Sequence, residues 1–374
     1  MFKIIYIVST LKKCGPINVL LNIIKELDRS VYKPIIITLS EEGTDTAIQE
    51  FYNRNVEVYS LNLTRTEGIF KTKKKVNSLI NKLNPSIIHT HGIRADRIGA
   101  KYFKKHLVIS TIHSYPYFDY PLTYGLILGH GMAFMHTRYL RKLTLAVSCS
   151  NSIKNNMLKK NVESIYIHNG IDMGEKRQIH SSKDNLRTNL NLPVDKKIFI
   201  SVGHLSKLKD PLTIIKSLIV NEYKDNLYFV FLGNGEEKEK CQNLIDQYNL
   251  PVLLAGQVSN VQDYLYAADY FVSASLGEGM PNSVLEALSS SLPVLLSNIE
   301  SHKEILEMNK CSGVIFKTQD TESLNQAIFK LINLDRKTLS KSAIITYNDY
   351  FTSKVMSTKY QIEYMRLIKK KGIY

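Results

Sequence analysis

Residues 267–298 read AADYFVSASLGEGMPNSVLEALSSSLPVLLSN. The run 269–275, DYFVSAS, is short and apolar with β-branched and aromatic residues, which marks a strand. LGEGMPNS follows as a loop, and its Gly277 and Gly279 let backbone approach a ligand closely. SVLEALSSS has helical spacing, with Asn282 placed to cap it, and PVLLSN opens another strand. Strand, glycine loop, helix, strand is one unit of a parallel α/β sheet. In such sheets ligands sit at the carboxyl ends of strands, where helix N-termini suit phosphate.

Outward from this unit the rhythm repeats. KIFISVG (197–203), LYFVFLG (227–233), PVLLAG (251–256) and GVIF (313–316) are short apolar runs separated by helical segments. The first half alternates likewise through FKIIYIVS (2–9), KPIIITLS (33–40), VEVYSLNL (56–63), SIIHTHG (86–92), LVISTIHS (107–114) and LAVSCS (145–150). Helical stretches fall at 18–27, 46–54, 71–83, near 97–103 and around 122–142. Strands apolar on both faces belong to parallel sheets covered by helices. Two such series predict an α/β protein of two doubly wound Rossmann-like domains with a cleft between them. The expected boundaries are 1–170 and 195–345, joined by a polar, weakly periodic linker at 171–194. A final helix within 346–374 ends in RLIKKK; it either packs on the second domain or returns to the first.

Length and composition agree. A chain of 374 residues exceeds one ordinary core. Four scattered cysteines without a CxxC pair point to free thiols in a reducing compartment. No apolar run reaches the roughly 20 residues that span a bilayer, and the opening MFKIIYIVST reads as a buried strand, not a signal peptide. The net charge of +15 is uneven: residues 1–170 hold 24 Lys+Arg against 11 Asp+Glu. That asymmetry points the first domain at an anionic surface.

The chemistry centres on two glutamates. Glu278 lies in the glycine loop and Glu286 in the second turn of the helix. The first can accept sugar hydroxyls and the second the vicinal hydroxyls of a ribose, since carboxylates are strong acceptors for diols. Two glutamates eight apart are weak evidence by themselves; in this loop–helix context they are specific. In VGHLSKLKDPLTIIKSL (202–218), Asp210 and Pro211 mark a helix start, and Lys209 just before it can neutralise a diphosphate leaving group. Alone, Lys209 would be a surface lysine. FLGNG places Gly233 and Gly235 after a strand but lacks the third glycine of a dinucleotide fingerprint. Gly15, in the first strand–helix loop, can present backbone N–H groups to a phosphate. His113 ends the strand LVISTIHS, where it can meet a sugar hydroxyl. His89 and His91 flank Thr90; with His113 they do not make a zinc site.

Together these pieces resemble the large retaining GT-B glycosyltransferase family that includes glycogen-synthase-like and bacterial surface-polysaccharide enzymes. Residues 267–298 carry its E-x7-E element, VGHLSKLKD occupies the phosphate-clamp position, and HNGID (168–172) that of an interdomain NGID element. The resemblance spans nearly the whole chain and is most specific in its second half. It implies that Glu278 holds the donor sugar, Glu286 the ribose, and Lys209 the diphosphate, with Gly15 lining the phosphate side and His113 touching the transferred sugar. His204, Gly233, Gly235, Gly279, Met280, Pro281, Asn282 and Ser283 complete the donor set. Two departures stand out: His204 replaces the clamp arginine, and Ser291 replaces a glycine before the LPV strand, where the turn is expected to be unstrained.

The resemblance further implies an acceptor-binding first domain. Arg94, Arg97, Lys104, Lys105, Tyr115 and Tyr117 are its expected acceptor or membrane face, suited to a glycan on a polyprenyl pyrophosphate. The expected reaction transfers a sugar from a UDP- or GDP-linked donor to that acceptor during surface-polysaccharide synthesis, with retention and without metal or cofactor. The expected location is cytoplasmic, peripheral at the inner face of the plasma membrane, with no nucleic-acid partner. A nucleotide-sugar epimerase of similar architecture and a non-catalytic sugar-nucleotide-binding protein are the rival readings.

Overall fold

The computed structural model describes residues 1–63, 72–172 and 182–372. They form two compact units, one of residues up to Asp172 together with those from Thr352 onward, the other of the residues between. Each unit is built on one all-parallel sheet. The first has seven strands: β1 (Phe2–Val8), β2 (Tyr32–Thr38), β3 (Glu57–Ser60), β4 (Ile87–His91), β5 (Val108–Ile112), β6 (Leu145–Ser148) and β7 (Ile165–Tyr166). They run in the order β3-β2-β1-β4-β5-β6-β7. The second has β8 (Lys197–Val202), β9 (Leu227–Leu232), β10 (Val252–Gly256), β11 (Tyr270–Ser273), β12 (Val294–Ser297) and β13 (Gly313–Phe316), in the order β10-β9-β8-β11-β12-β13. In both, strand order reverses beside the first strand, and ligand crevices form at such switch points. β1 pairs with β4 through Ile4 and Ile87, and β8 with β11 through Phe199 and Tyr270.

The two-residue period of a strand explains why the apolar runs are unbroken. Along β1, Ile4, Tyr6 and Val8 enter one core, with Leu20 and Ile23 of the helix Gly15–Lys25. Ile5 and Ile7 enter another, with Ile35, Ile37, Val76 and Ile80. The second unit is cored by aromatic stacking, Phe199 lying 4.9 Å from Phe229 and 4.8 Å from Tyr270 between ring centres.

The last helix, Ser353–Lys370, packs in the first unit. Tyr364 bonds the hydroxyl of Tyr6 at 3.2 Å and His89 Nδ1 at 2.7 Å, and Tyr360 bonds Thr111 Oγ1 at 2.8 Å. Ile171 bridges Thr352. Gly170 admits no side chain there, because a Cβ would stand 2.2 Å from the Thr352 carbonyl oxygen. The helix Arg336–Tyr350 belongs wholly to the second unit, so the chain leaves that unit at residue 351, not 345.

The expected linker 171–194 divides. Residues 173–181 lie outside the described residues, as does Lys71 of the expected basic helix. From Ser182 onward the segment is part of the second unit, with the helix Lys183–Asn189. Arg187 fixes it: its guanidinium donates to Asp269 Oδ2 at 2.6 Å and to the carbonyls of Ala267, Val194 and Lys196. Polar composition suggested a linker, but one buried arginine supplies the anchorage that apolar spacing did not show.

Candidate active site

The chain leaves β11 at Ser273 and turns into the helix Asn282–Ser289. Pro281 takes the cap position, and Asn282, the expected cap, is instead the first helical residue. Proline offers no side-chain acceptor to the first amides, an arrangement that favours an anionic ligand at this end. At the other end the N–H of Ser291 donates to Leu288 O and that of Leu292 to Ala287 O. This closure needs a left-handed residue, and Ser291 has φ +60°. The turn expected to be unstrained is therefore strained for an L-residue. We predict that Ser291→Gly stabilises the protein by about 1 kcal/mol, read as a higher midpoint in thermal melting.

Glu278 is mostly enclosed, with 13% of its side chain exposed, and forms an ion pair with Lys209. Ser275 Oγ donates to the same carboxylate oxygen at 2.8 Å. Burial, the largest influence, raises the Glu278 pKa, but the Lys209 ammonium and the Ser275 hydroxyl are among the groups that together hold the carboxyl below its ordinary range. Glu278 is thus ionised at neutral pH, and Lys209 is shared between this carboxylate and any phosphate that approaches.

Lys209 is placed by the loop after β8. Asp210 caps the helix Pro211–Ile219, its side chain accepting from Thr213 N at 3.3 Å. The lysine stem lies over Gly203, whose Cβ would meet Lys209 Cε at 3.7 Å. The loops after β8 and β9 are zipped together: Leu205 N donates to Asn234 O, and Glu237 N to Leu205 O. Gly233 and Gly235 are required by this contact, since Cβ atoms there would stand 1.9 Å from Gly203 O and 2.3 Å from Leu205 O. The glycines support the loop that carries Lys209. His204, in the arginine's place, is largely exposed, with Nε2 3.1 Å from Glu236.

Glu286 is half-buried on its helix and carries the opposite shift. Burial raises its pKa to about 7. The sign follows: the folded state favours the protonated form, so the associated stability is complete below the ordinary glutamate pKa and is lost as pH rises through about 7. Removing the charge with Glu286→Gln is expected to stabilise the free protein at pH 8, by at most about 3 kcal/mol, and to change little at pH 4. Melting curves at the two pH values check this.

Two residues that sequence reasoning passed over belong to this site. Ser297, at the end of β12, donates to Ser275 O at 2.6 Å. His302, in the helix Glu300–Met308, is fully buried, with Nδ1 3.1 Å from Ser297 O and 3.0 Å from Ser297 Oγ. Because that hydroxyl proton goes to Ser275, His302 Nδ1 carries its own proton and donates. Burial lowers the His302 pKa to about 4 against the pull of Glu278, so the ring is neutral. The carboxyl end of the strand next to the E-x7-E unit was the available signal.

In the first unit, His113 Nε2 lies 2.9 Å from His91 Nδ1, and the His89, His91 and His113 rings stack in succession. His89 is closed off by Tyr364 and Thr111. Burial lowers the pKa of His113 to about 4, which makes it a neutral hydrogen-bonding group at pH 7. Among the described residues, no group of three or more His, Cys, Asp or Glu is arranged to hold a metal ion. Gly15 opens its helix at an exposed end after Cys14, which makes no side-chain cap.

The six residues expected to share an acceptor face do not share one. Arg94, bonded to Ser40 Oγ at 2.9 Å, and Arg97 sit early in the helix Ile93–Tyr102, which follows the carboxyl end of β4. Tyr115 and Tyr117 follow the carboxyl end of β5, their rings 5.8 Å apart. Lys104 and Lys105 precede β5 and so lie at the opposite end of the sheet.

Two parallel α/β units, with a carboxylate–lysine pair and a second carboxylate around a helix start, define a GT-B glycosyltransferase. Residues 182–347 match the family described as Glycosyl transferases group 1, and residues 15–175 match Glycosyltransferase Family 4. The two units thus carry one matched glycosyltransferase domain each. It is 29% identical to the O-antigen biosynthesis glycosyltransferase WclY of Escherichia coli, across 98% of this chain and 99% of that one. It is 27% identical to the E. coli UDP-Gal:alpha-D-GlcNAc-diphosphoundecaprenol alpha-1,3-galactosyltransferase, across 76% and 78% of the two chains. Its fold matches Anabaena HepE in complex with UDP-glucose at a TM-score of 0.80, with 16% identity, covering 98% of this chain and all of that one.

Proposed function

We propose that this glycosyltransferase moves a hexosyl group, with retention, from a UDP- or GDP-linked donor to a glycan carried on polyprenyl diphosphate. The carrying observation is the Glu278–Lys209 pair at the start of the helix that bears Glu286. Glu286 accepts both ribose hydroxyls, Lys209 and the helix start stabilise the departing diphosphate, and Glu278 accepts a donor-sugar hydroxyl. The relatives' substrates, a diphosphoundecaprenol-linked sugar among them, support the acceptor class. In this reading the positive field comes from Lys209 and backbone amides, and transfer survives EDTA. The enzyme works as a peripheral protein at the inner face of the plasma membrane.

The test incubates the protein with single nucleotide-sugars and polyprenyl-diphosphate-linked acceptors. The expected result is release of the nucleoside diphosphate together with an elongated lipid-linked product whose new bond keeps the donor's anomeric configuration. Interconversion of the donor without acceptor would identify an epimerase. Tight donor binding without release from any acceptor would identify a binding protein.

A further inference from the structure

The helices Pro116–Tyr124 and Leu126–Leu140 of the first unit form a hairpin that turns at Gly125, φ +82°. All seven residues from 122 to 128 are exposed. Leu126 is 72% exposed, Ile127 93%, and Leu122 and Leu128 61% each. Tyr124, Phe134 and Met135 extend the apolar surface. No Asp, Glu, Lys or Arg occurs from 120 to 137. A soluble surface rarely carries so many contiguous large aliphatic groups without a partner.

The tip is held out by a rigid base. A Cβ on Gly129 would stand 2.4 Å from Pro121 N, so the two helices cross in backbone contact. Tyr120 stacks on His136 and bonds its Nδ1 at 2.8 Å; His136 Nε2 reaches Asp96 at 2.7 Å, and Thr90 donates to Asp96 at 2.5 Å. This buried polar chain ties the hairpin to β4 and to the helix beside it.

Behind the apolar tip the surface is basic. Arg138, Arg141 and Lys142 close the second helix, and Arg141 donates to Lys160 O, which brings in Lys154, Lys159 and Lys160. Lys160 lies over the Tyr117 ring at 4.5 Å and Arg138 over Phe134 at 5.7 Å. Arg138 is eleven residues from Ile127, about 16 Å along a helix, close to half the thickness of a bilayer's hydrocarbon core.

We propose that this hairpin is a membrane anchor: Leu122, Leu126, Ile127 and Leu128 enter the acyl region of an anionic bilayer, and the basic residues behind them meet its phosphates. The assignment deepens the peripheral reading above and rests on it only in expecting a membrane-borne acceptor. It gives the docking role to this hairpin in place of Lys104 and Lys105. Among the described residues no helix is long and apolar enough to cross a membrane, so the contact is interfacial.

The chain contains no tryptophan, which makes Ile127→Trp a single-site reporter. With phosphatidylglycerol vesicles its emission is expected to shift to the blue and to be quenched by acyl-brominated lipid, with neither change in phosphatidylcholine vesicles. The triple variant Leu126→Ser, Ile127→Ser, Leu128→Ser is expected to lose at least tenfold in partition onto phosphatidylglycerol, with an unchanged melting midpoint and nucleotide-sugar affinity. No binding of the wild type to these vesicles, or equal partition by the triple variant, overturns the assignment. So does a wild-type dimer that the triple variant dissociates, since a second copy would then cover the tip. Neither donor nor acceptor is present, so such a failure leaves the transfer reading standing.

Discussion

Glu278→Gln lowers kcat about 10²- to 10³-fold while donor KM changes by only a few fold. The carboxylate is charged, enclosed, and oriented by both Ser275 and Lys209. A fixed charge in a desolvated site acts most strongly where charge develops, and removing one such group usually costs that range in rate. Glutamine keeps the shape and the contact to Ser275 but loses the partner of Lys209. The lysine is then free to hold diphosphate in the ground state as firmly as in the transition state, which does not speed the reaction. Steady-state nucleotide release, with kcat and KM fitted separately, checks the expectation. A loss confined to KM would move Glu278 from the reaction to simple donor binding.

Glu286→Ala weakens nucleotide binding by roughly 30- to 1000-fold, the worth of about 2–4 kcal/mol for a charged acceptor bonded to two hydroxyls. It leaves turnover at saturating donor much closer to wild type. Titration calorimetry with the nucleoside diphosphate alone measures this directly. The stability effect has the opposite sign. The free protein disfavours a charge at this half-buried position, as its pKa of about 7 records. Diol donors restore what burial removes, so donor affinity should also fall as pH drops from 8 to 6 in the wild type. A site kept at a cost to the free state is expected where binding requires it.

The fold was legible because the inner strands are apolar on both faces: Ile4 to Ile7 feed two cores at once, as strands of a helix-covered parallel sheet do. The donor unit was legible because loop glycines, a proline and two glutamates stand at fixed spacing in 276–286. What escaped depends on tertiary contacts that leave no periodic trace. Arg187 turned an expected linker into part of the second unit through four polar bonds. Gly233 and Gly235 looked like ligand-facing glycines, yet each makes room for a neighbouring loop's carbonyl. Ser291 stands where a glycine is usual, which was a sign of the left-handed backbone, but a serine there read as an unstrained turn. The Ser275–Ser297–His302 chain joins the ends of two adjacent strands, and its residues are unremarkable one by one. The acceptor face failed for a geometric reason: a helix of ten residues carries Arg94 and Lys104 to opposite ends of the sheet.

The central claim is that the donor nucleotide is read by Glu286 and its diphosphate by Lys209. A crystal structure of the protein with its nucleotide-sugar tests it most directly. The account predicts both ribose hydroxyls within hydrogen-bonding distance of the Glu286 carboxylate, and the diphosphate between Lys209 and the first turn of the helix Asn282–Ser289. A nucleotide bound with its ribose away from Glu286, or a diphosphate out of reach of Lys209, would contradict it.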